Sequence, residues 1–308
     1  MPQTITAAPS GIPRRIDQLL TQRDRTLSFE FFPPKGDKAQ ILFEACVEQV
    51  AELGPDFLSM TYGAGGSTRA GSLSALQKMR ALAPRPALLA HLTCVGSTRA
   101  EMAGLLDEWS AAGIENVLAL RGDPPRGSTA FTPLPGGYAF ADELIAAVRC
   151  DGRFAITCAA FPEGHPEAAS RESDWQRLAG KFAAGACLGI TQAFLDAADF
   201  LAMRRWLDAH GHANSRIVPS ILPVASWPWL LNFKQRFSPN LGLPERWRTV
   251  LEPLAGDPFA SRAAGISLTI DLARDLLKAG APGLHLYTLN KPMAVAEVVT
   301  ALRRERLL

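Results

Sequence analysis

The sequence predicts an α/β fold, specifically a (β/α)8 TIM barrel in a single domain. Short β-branched or apolar runs recur along the 308 residues, and each gives way to a Gly, Pro or polar break and then to a longer amphipathic segment. Eight such units fill the chain, whereas a doubly wound sheet needs only about five or six strands.

The first strand is read at 27–32, LSFEFF. Leu27, Phe29 and Phe31 alternate with Ser28, Glu30 and Phe32, so a period of two turns the apolar trio toward the outer helices and Glu30 toward the lumen. Pro33 and Pro34 lack ladder donors and end the strand just past the acid. The other strands are read at 56–62, 87–93, 116–121, 153–160, 188–194, 216–222 and 283–289. Between them, 39–53, 72–82, 100–113 and 141–150 carry apolar residues at helical spacing, several opening after Ser, Thr or Asp and closing at Gly. The long stretch between the last two strands holds SWPWLLNFKQRF, LPERWRTVLEPL and SRAAGISLTIDLARDLLKAG, read as the seventh-unit helix plus one inserted helix. Residues 1–20 are expected to form a flexible lead and 21–308 the catalytic barrel.

Composition narrows the function. A net charge of +2, from 32 basic and 30 acidic residues, argues against a nucleic-acid or polybasic membrane surface. No apolar run approaches the roughly 18 residues of a membrane span, and the N-terminus lacks a secretory pattern, so a cytoplasmic protein acting on a small molecule is expected. The five cysteines are scattered through apolar segments without a C-x-x-C pair, as reduced core cysteines are. His210 and His212 read as a solvated helix end, and no metal site is expected.

Chemistry in such a barrel gathers at the C-terminal ends of the strands. Those ends carry Glu30; Thr61 and Tyr62; His91 and Thr93; Arg121, Gly122 and Asp123; Phe161 through His165; Thr191 and Gln192; and Tyr287, Asn290 and Lys291. Singly, each has a structural alternative: Glu30 could pair with Arg121, His91 could be a core residue, and Arg121-Gly122-Asp123 could be a turn. Together, at corresponding strand ends, they favour an active site. YGAGGSTR (62–69) offers G-x-G after a strand, but Thr68 occupies the third glycine position and no acid follows before Glu101, so the dinucleotide fingerprint fails.

SFEFFPPK (28–35), TYGAGGSTR (61–69), HLT (91–93), LALRGDPP (118–125), AAFPEGHPEA (159–168), ITQAFLD (190–196), ILPV (221–224) and PGLHLYTLN (282–290) together resemble the methylenetetrahydrofolate reductase family, in its bacterial form without a regulatory domain. The resemblance implies FAD, with NADH or NADPH as reductant, a folate substrate, no nucleic-acid or membrane partner, and a homo-oligomer. It implies Glu30 as general acid and Asp123 as a second catalytic group. Thr61, Tyr62, Ala64, His91, Arg121, Gly122, Asp123, Ala139, Phe161, His165, Ala168, Asp174 and Lys181 would bind the cofactor, and Glu30, Gln192, Phe233, Tyr287 and Lys291 the substrate. The chain departs from the family pattern at Phe161, Arg177, Gly180, Ala193, Trp229 and Lys291. A flavin-free folate binder is the alternative from a different functional class, and a lyase or aldolase using Glu30 as base is a weaker third.

Overall fold

Strands and helices alternate through the computed structural model, which describes residues 14–61, 69–122 and 131–308. The order is α1 (Ile16–Gln22), β1 (Thr26–Phe31), α2 (Asp37–Ala51), β2 (Phe57–Met60), α3 (Arg69–Leu82), β3 (Ala87–Thr93), α4 (Arg99–Ala111), β4 (Asn116–Leu120), α5 (Ala141–Asp151) and β5 (Ala155–Ala160). It continues with α6 (Arg171–Ala184), β6 (Leu188–Thr191), α7 (Ala197–Ala209), β7 (Ile217–Val218), β8 (Ser220–Ile221), α8 (Trp227–Phe237), α9 (Glu245–Leu251), α10 (Pro258–Lys278), β9 (Gly283–Tyr287) and α11 (Pro292–Arg304). The strands lie in the order β7-β6-β5-β4-β3-β2-β1-β9-β8, and their registered pairs are parallel. This is the (β/α)8 barrel, with its seventh strand in two pieces.

The chain divides into two compact units. One comprises the residues up to Asp24, Ser28–Cys158 and Lys181–Leu188; the other comprises Arg25–Leu27, Ala159–Gly180 and Gly189–Leu308.

In the first unit, the alternation read in β1 is realised: Phe31 meets Phe43 of α2 edge to face, with ring centroids 5.9 Å apart. Helix α4 opens on a full capping box, in which Thr98 accepts from the Glu101 N–H and Glu101 accepts from the Thr98 N–H. Burial pushes the thiols of Cys94 and Cys187 up to about 12 and that of Cys158 up to about 11, so all three stay protonated and inert near neutrality.

Helix α1 lies across the expected flexible lead, with Ile16 and Leu19 buried. Its anchor is Asn116, the first residue of β4, which is 1% exposed. The Asn116 Oδ1 accepts the Ile16 N–H at 2.7 Å, and its Nδ2 donates to the carbonyls of Arg14 (2.8 Å) and Leu88 (2.9 Å).

In the second unit, the strand expected at 216–222 is split by Pro219, which has no N–H to give the ladder. β7 pairs with β6 and β8 with β9. The break is repaired by neighbours: the Pro219 carbonyl accepts the His285 N–H at 3.0 Å, and the Thr191 hydroxyl accepts the Ser220 N–H at 2.8 Å. The long segment before β9 holds three helices where two were expected. The additional short helix, α9, is pinned by Trp247, whose buried indole N–H donates to the Leu195 carbonyl at 2.9 Å. His210 ends α7 stacked on Trp206 at 3.8 Å, consistent with an exposed helix end.

Asn116→Ala strands the Ile16 N–H and two carbonyls in the interior and is expected to lower unfolding free energy by roughly 2–4 kcal/mol. A urea midpoint equal to that of the parent chain would show that α1 is held by other means.

Candidate active site

The polar strand exits fall into two groups, one in each unit. In the first, Glu30 and His91 occupy the face of β1 and β3 opposite the helix-packed residues. They are 7% and 6% exposed, with the His91 Nε2 3.6 Å from a Glu30 carboxyl oxygen. Register explains the meeting: Glu30 lies beside Ser59, and Ser59 beside Leu89, so the small serine leaves room for the acid and the imidazole to approach across β2. Glu30 is thus a buried carboxyl beside an imidazole, with which it forms an ion pair only when the ring is protonated, and it is flanked in sequence by phenylalanines.

Thr61, just after β2, donates its N–H to the Phe31 carbonyl at 3.0 Å, which carries the ladder one residue past the strand. Arg121 follows β4, with its guanidinium 5.1 Å from the centre of the Phe131 ring. The next residue, Gly122, has a φ of 86°, and a Cβ there would lie 2.8 Å from the Val95 side chain. Only glycine suits both the conformation and the space. The Ala139 N–H donates to Glu143 at 3.0 Å, and Lys181 sits half-buried in the last turn of α6. Tyr62, Ala64 and Asp123 lie outside the described residues.

In the second group, the Phe161 carbonyl accepts the indole N–H of Trp175 at 3.1 Å, fixing the exit of β5 against α6. The Phe161 ring meets that of His165 edge to face at 4.9 Å. His165 Nδ1 accepts the Glu167 N–H at 3.1 Å, so a neutral imidazole carries its proton on Nε2 and presents a donor there. The Ala168 N–H donates to the His165 carbonyl at 2.9 Å, and Asp174 is buried in the first turn of α6.

Gln192, after β6, is held by two donors at one atom: its Oε1 accepts the Ala193 N–H at 2.8 Å and the Tyr287 hydroxyl at 2.7 Å. Because a backbone N–H can only donate, the amide cannot be reversed, which fixes the other end as the NH2 donor. Phe233 on α8 stacks on Trp229 (5.7 Å) and meets Phe237 at a tilt (5.5 Å). Lys291 is exposed at the N-cap of α11, and Arg177 and Gly180 lie on the exposed face of α6.

Sequence reading identified Gln192 and Tyr287 separately but missed the bond that joins them. It placed Glu163 at a strand exit but gave it no role; its carboxylate accepts the Gly242 N–H at 2.7 Å. The F-P-E-G-H stretch places Glu163 at a strand exit, but nothing in the sequence names its distant partner.

The family model for methylenetetrahydrofolate reductase matches residues 15–303. The chain belongs to that family. It is 34% identical over 288 residues to methylenetetrahydrofolate reductase (NADH) 1 of Arabidopsis thaliana, covering 90% of this chain and 48% of the plant protein. It is 33% identical over 269 residues to 5,10-methylenetetrahydrofolate reductase of Pectobacterium carotovorum, covering 86% of both chains. The chain therefore spans about half the length of the plant relatives and most of the bacterial ones. In fold, it is similar to a Clostridium thermocellum protein described as binding two copies of 5-methyl-5,6,7,8-tetrahydrofolic acid, at 18% identity and a TM-score of 0.61 over 95% of this chain and 98% of that one. It is similar in the same sense to oxaloacetate acetylhydrolase, at 13% identity and a TM-score of 0.55 over 97% of this chain and 88% of that one.

Gly122→Ala forces a side chain into the left-handed region against Val95 and is expected to cost roughly 1–3 kcal/mol, read as a lowered denaturation midpoint. An unchanged midpoint would mean that the exit of β4 adjusts freely.

Proposed function

We propose that the chain reduces 5,10-methylenetetrahydrofolate to 5-methyltetrahydrofolate with NADH or NADPH, holding FAD and using Glu30 as general acid. The observation that carries the reading is a carboxyl, 7% exposed, at the exit of a barrel strand in a member of this family. Opening the folate's methylene bridge requires N10 to leave with the electron pair of its bond to carbon. Glu30 donates a proton to that nitrogen, leaving an iminium at N5.

Within the proposed cofactor set, Arg121, Lys181 and His165 carry side chains of the chemical kind that bind a pyrophosphate. Thr61, Tyr62, Ala64, His91, Gly122, Asp123, Ala139, Phe161, Ala168 and Asp174 complete the proposed cofactor set. FAD, when bound, supplies two-electron transfer from the nicotinamide to the folate. Gln192 offers its fixed NH2 to acceptors on the pterin, with Tyr287 as its brace. Phe233 packs against folate or nicotinamide, Lys291 meets the folate's carboxylates, and Asp123 acts as the second catalytic group. The reading includes a cytoplasmic homo-oligomer, whose mass light scattering would report; among the described residues no helix is long and apolar enough to cross a membrane.

Purified protein is expected to be yellow and to bleach when NADH or NADPH is added without oxygen. Colourless protein that still oxidises the nicotinamide with methylenetetrahydrofolate would replace the flavin reading with direct transfer, and an absence of turnover would favour a folate binder. Glu30→Gln is expected to leave bleaching by nicotinamide within about twofold and to slow folate reduction by roughly 10²-fold or more. Equal loss in both halves would remove Glu30 from the general-acid role, since only the folate half needs its proton.

A further inference from the structure

Glu163 belongs to none of the roles assigned above, yet it joins two elements that the proposed function uses. It lies between Phe161 and His165 at the exit of β5, and its carboxylate reaches across to the segment 238–244 that follows α8. There it accepts the Gly242 N–H at 2.7 Å. A Cβ at Gly242 would fall 2.4 Å from that same oxygen, so the approach is as close as a backbone permits. A second bond runs beside the first, from the Asn240 amide to the Gly164 carbonyl at 3.4 Å. The segment is also tied back to its own helix, because Lys234 donates to the carbonyls of Pro239 and Leu241. Leu241, between Asn240 and Gly242, is fully buried. The C-terminal end of α8, which carries Phe233 in its aromatic stack, is thereby fastened to the loop that carries Phe161 and His165.

We infer that Glu163 is a positioning residue, a latch that fixes α8 and its Phe233 relative to the exit of β5 and so sets the affinity of the site for its ring-bearing ligands. The inference rests on the reductase reading for its use, though not for the latch itself.

The charged groups around Glu163 give the latch a pH dependence. Burial pushes the carboxyl up to about 7, against the opposing pull of the Gly242 N–H; Asp199 on α7 raises it further, while Arg171 on α6 and Lys234 on α8 lower it. Arg171 is itself paired to Asp199 at 2.7 Å, which tempers both influences. Because burial raises the carboxyl in the closed latch from its usual 4.5, the closed state binds the proton more tightly than an open, solvated one; the latch is therefore tightest at low pH, where the protonated carboxyl still accepts through its carbonyl oxygen, and loosens as the pH rises toward about 7.

Amide exchange at Gly242 and steady-state kinetics test the two halves. Glu163→Ala is expected to lower the Gly242 protection factor about tenfold or more and to raise KM for methylenetetrahydrofolate on the order of tenfold, with kcat within about twofold. Glu163→Gln keeps a neutral acceptor, so its protection and KM should match those of the protonated parent chain at low pH and lack the parent's weakening as the pH rises from 4.5 to about 7. Gly242→Ala attacks the same contact from the other side, and combining it with Glu163→Ala should add nothing to the larger single effect. Unchanged exchange in Glu163→Ala would abolish the latch, and faster exchange with unchanged KM would reduce it to a structural tie. Should Glu163→Ala fail to fold, the pH step in Glu163→Gln decides: its persistence overturns the proposal. A parent chain that turns over no folate would defeat the reductase reading and the positioning role with it, while the exchange results would still report whether the latch exists.

Discussion

A one-residue slip of β1 against β2 would exchange Glu30 with Phe31, turning a charge toward the Phe43 ring and a phenyl group toward His91. Every residue of β1, β2 and β3 is buried, so neither face offers solvent as an escape for the misplaced side chain. This two-sided burial is the constraint on which the rest depends. It fixes the register to which the helices dock, and it delivers an acid and an imidazole to the same face of strands that are not direct neighbours.

Where the ladder stops supplying partners, side chains take over. Asn116 satisfies one N–H and two carbonyls where α1 meets the start of β4. Thr191 and Pro219 bridge the interrupted seventh strand, and the Thr269 hydroxyl accepts the Val224 N–H at 3.3 Å just beyond it. Trp175 and Trp247 each use an indole N–H to anchor a loop carbonyl near the proposed ligand groups. A buried polar group left without such a partner costs about 1–3 kcal/mol, so each of these residues is held to its type by the backbone it serves.

The parts of the fold legible in the sequence are those set by short-range periodicity. The alternation in LSFEFF correctly turned Phe31 to α2 and Glu30 away from it, and Gly and Pro breaks located the strand ends to within a few residues. Three features were not legible. Pro219 sits in a run that otherwise reads as one strand, and whether it breaks that run depends on which neighbours accept and donate in its place. Helix α9 is short and depends on an indole bond to a carbonyl 52 positions away. Helix α1 falls partly within the expected flexible lead of 1–20, and the side chain that accepts its first N–H, Asn116, lies 100 positions away in β4. The candidate site divides along the same line. Strand-end residue types marked Glu30, His91, Gln192 and Tyr287 individually, but the amide lock between the last two spans 95 positions and no local pattern encodes it.

The Asn116 anchor also shapes how the chain is made. Helix α1 leaves the ribosome 100 residues ahead of the side chain that receives its first N–H. At ordinary rates of synthesis that is a wait of roughly 5 to 20 s, during which Ile16 and Leu19 expose an apolar stripe with no native surface to cover it. Helix α1 is therefore made before the residue that anchors it and cannot dock until β4 has emerged.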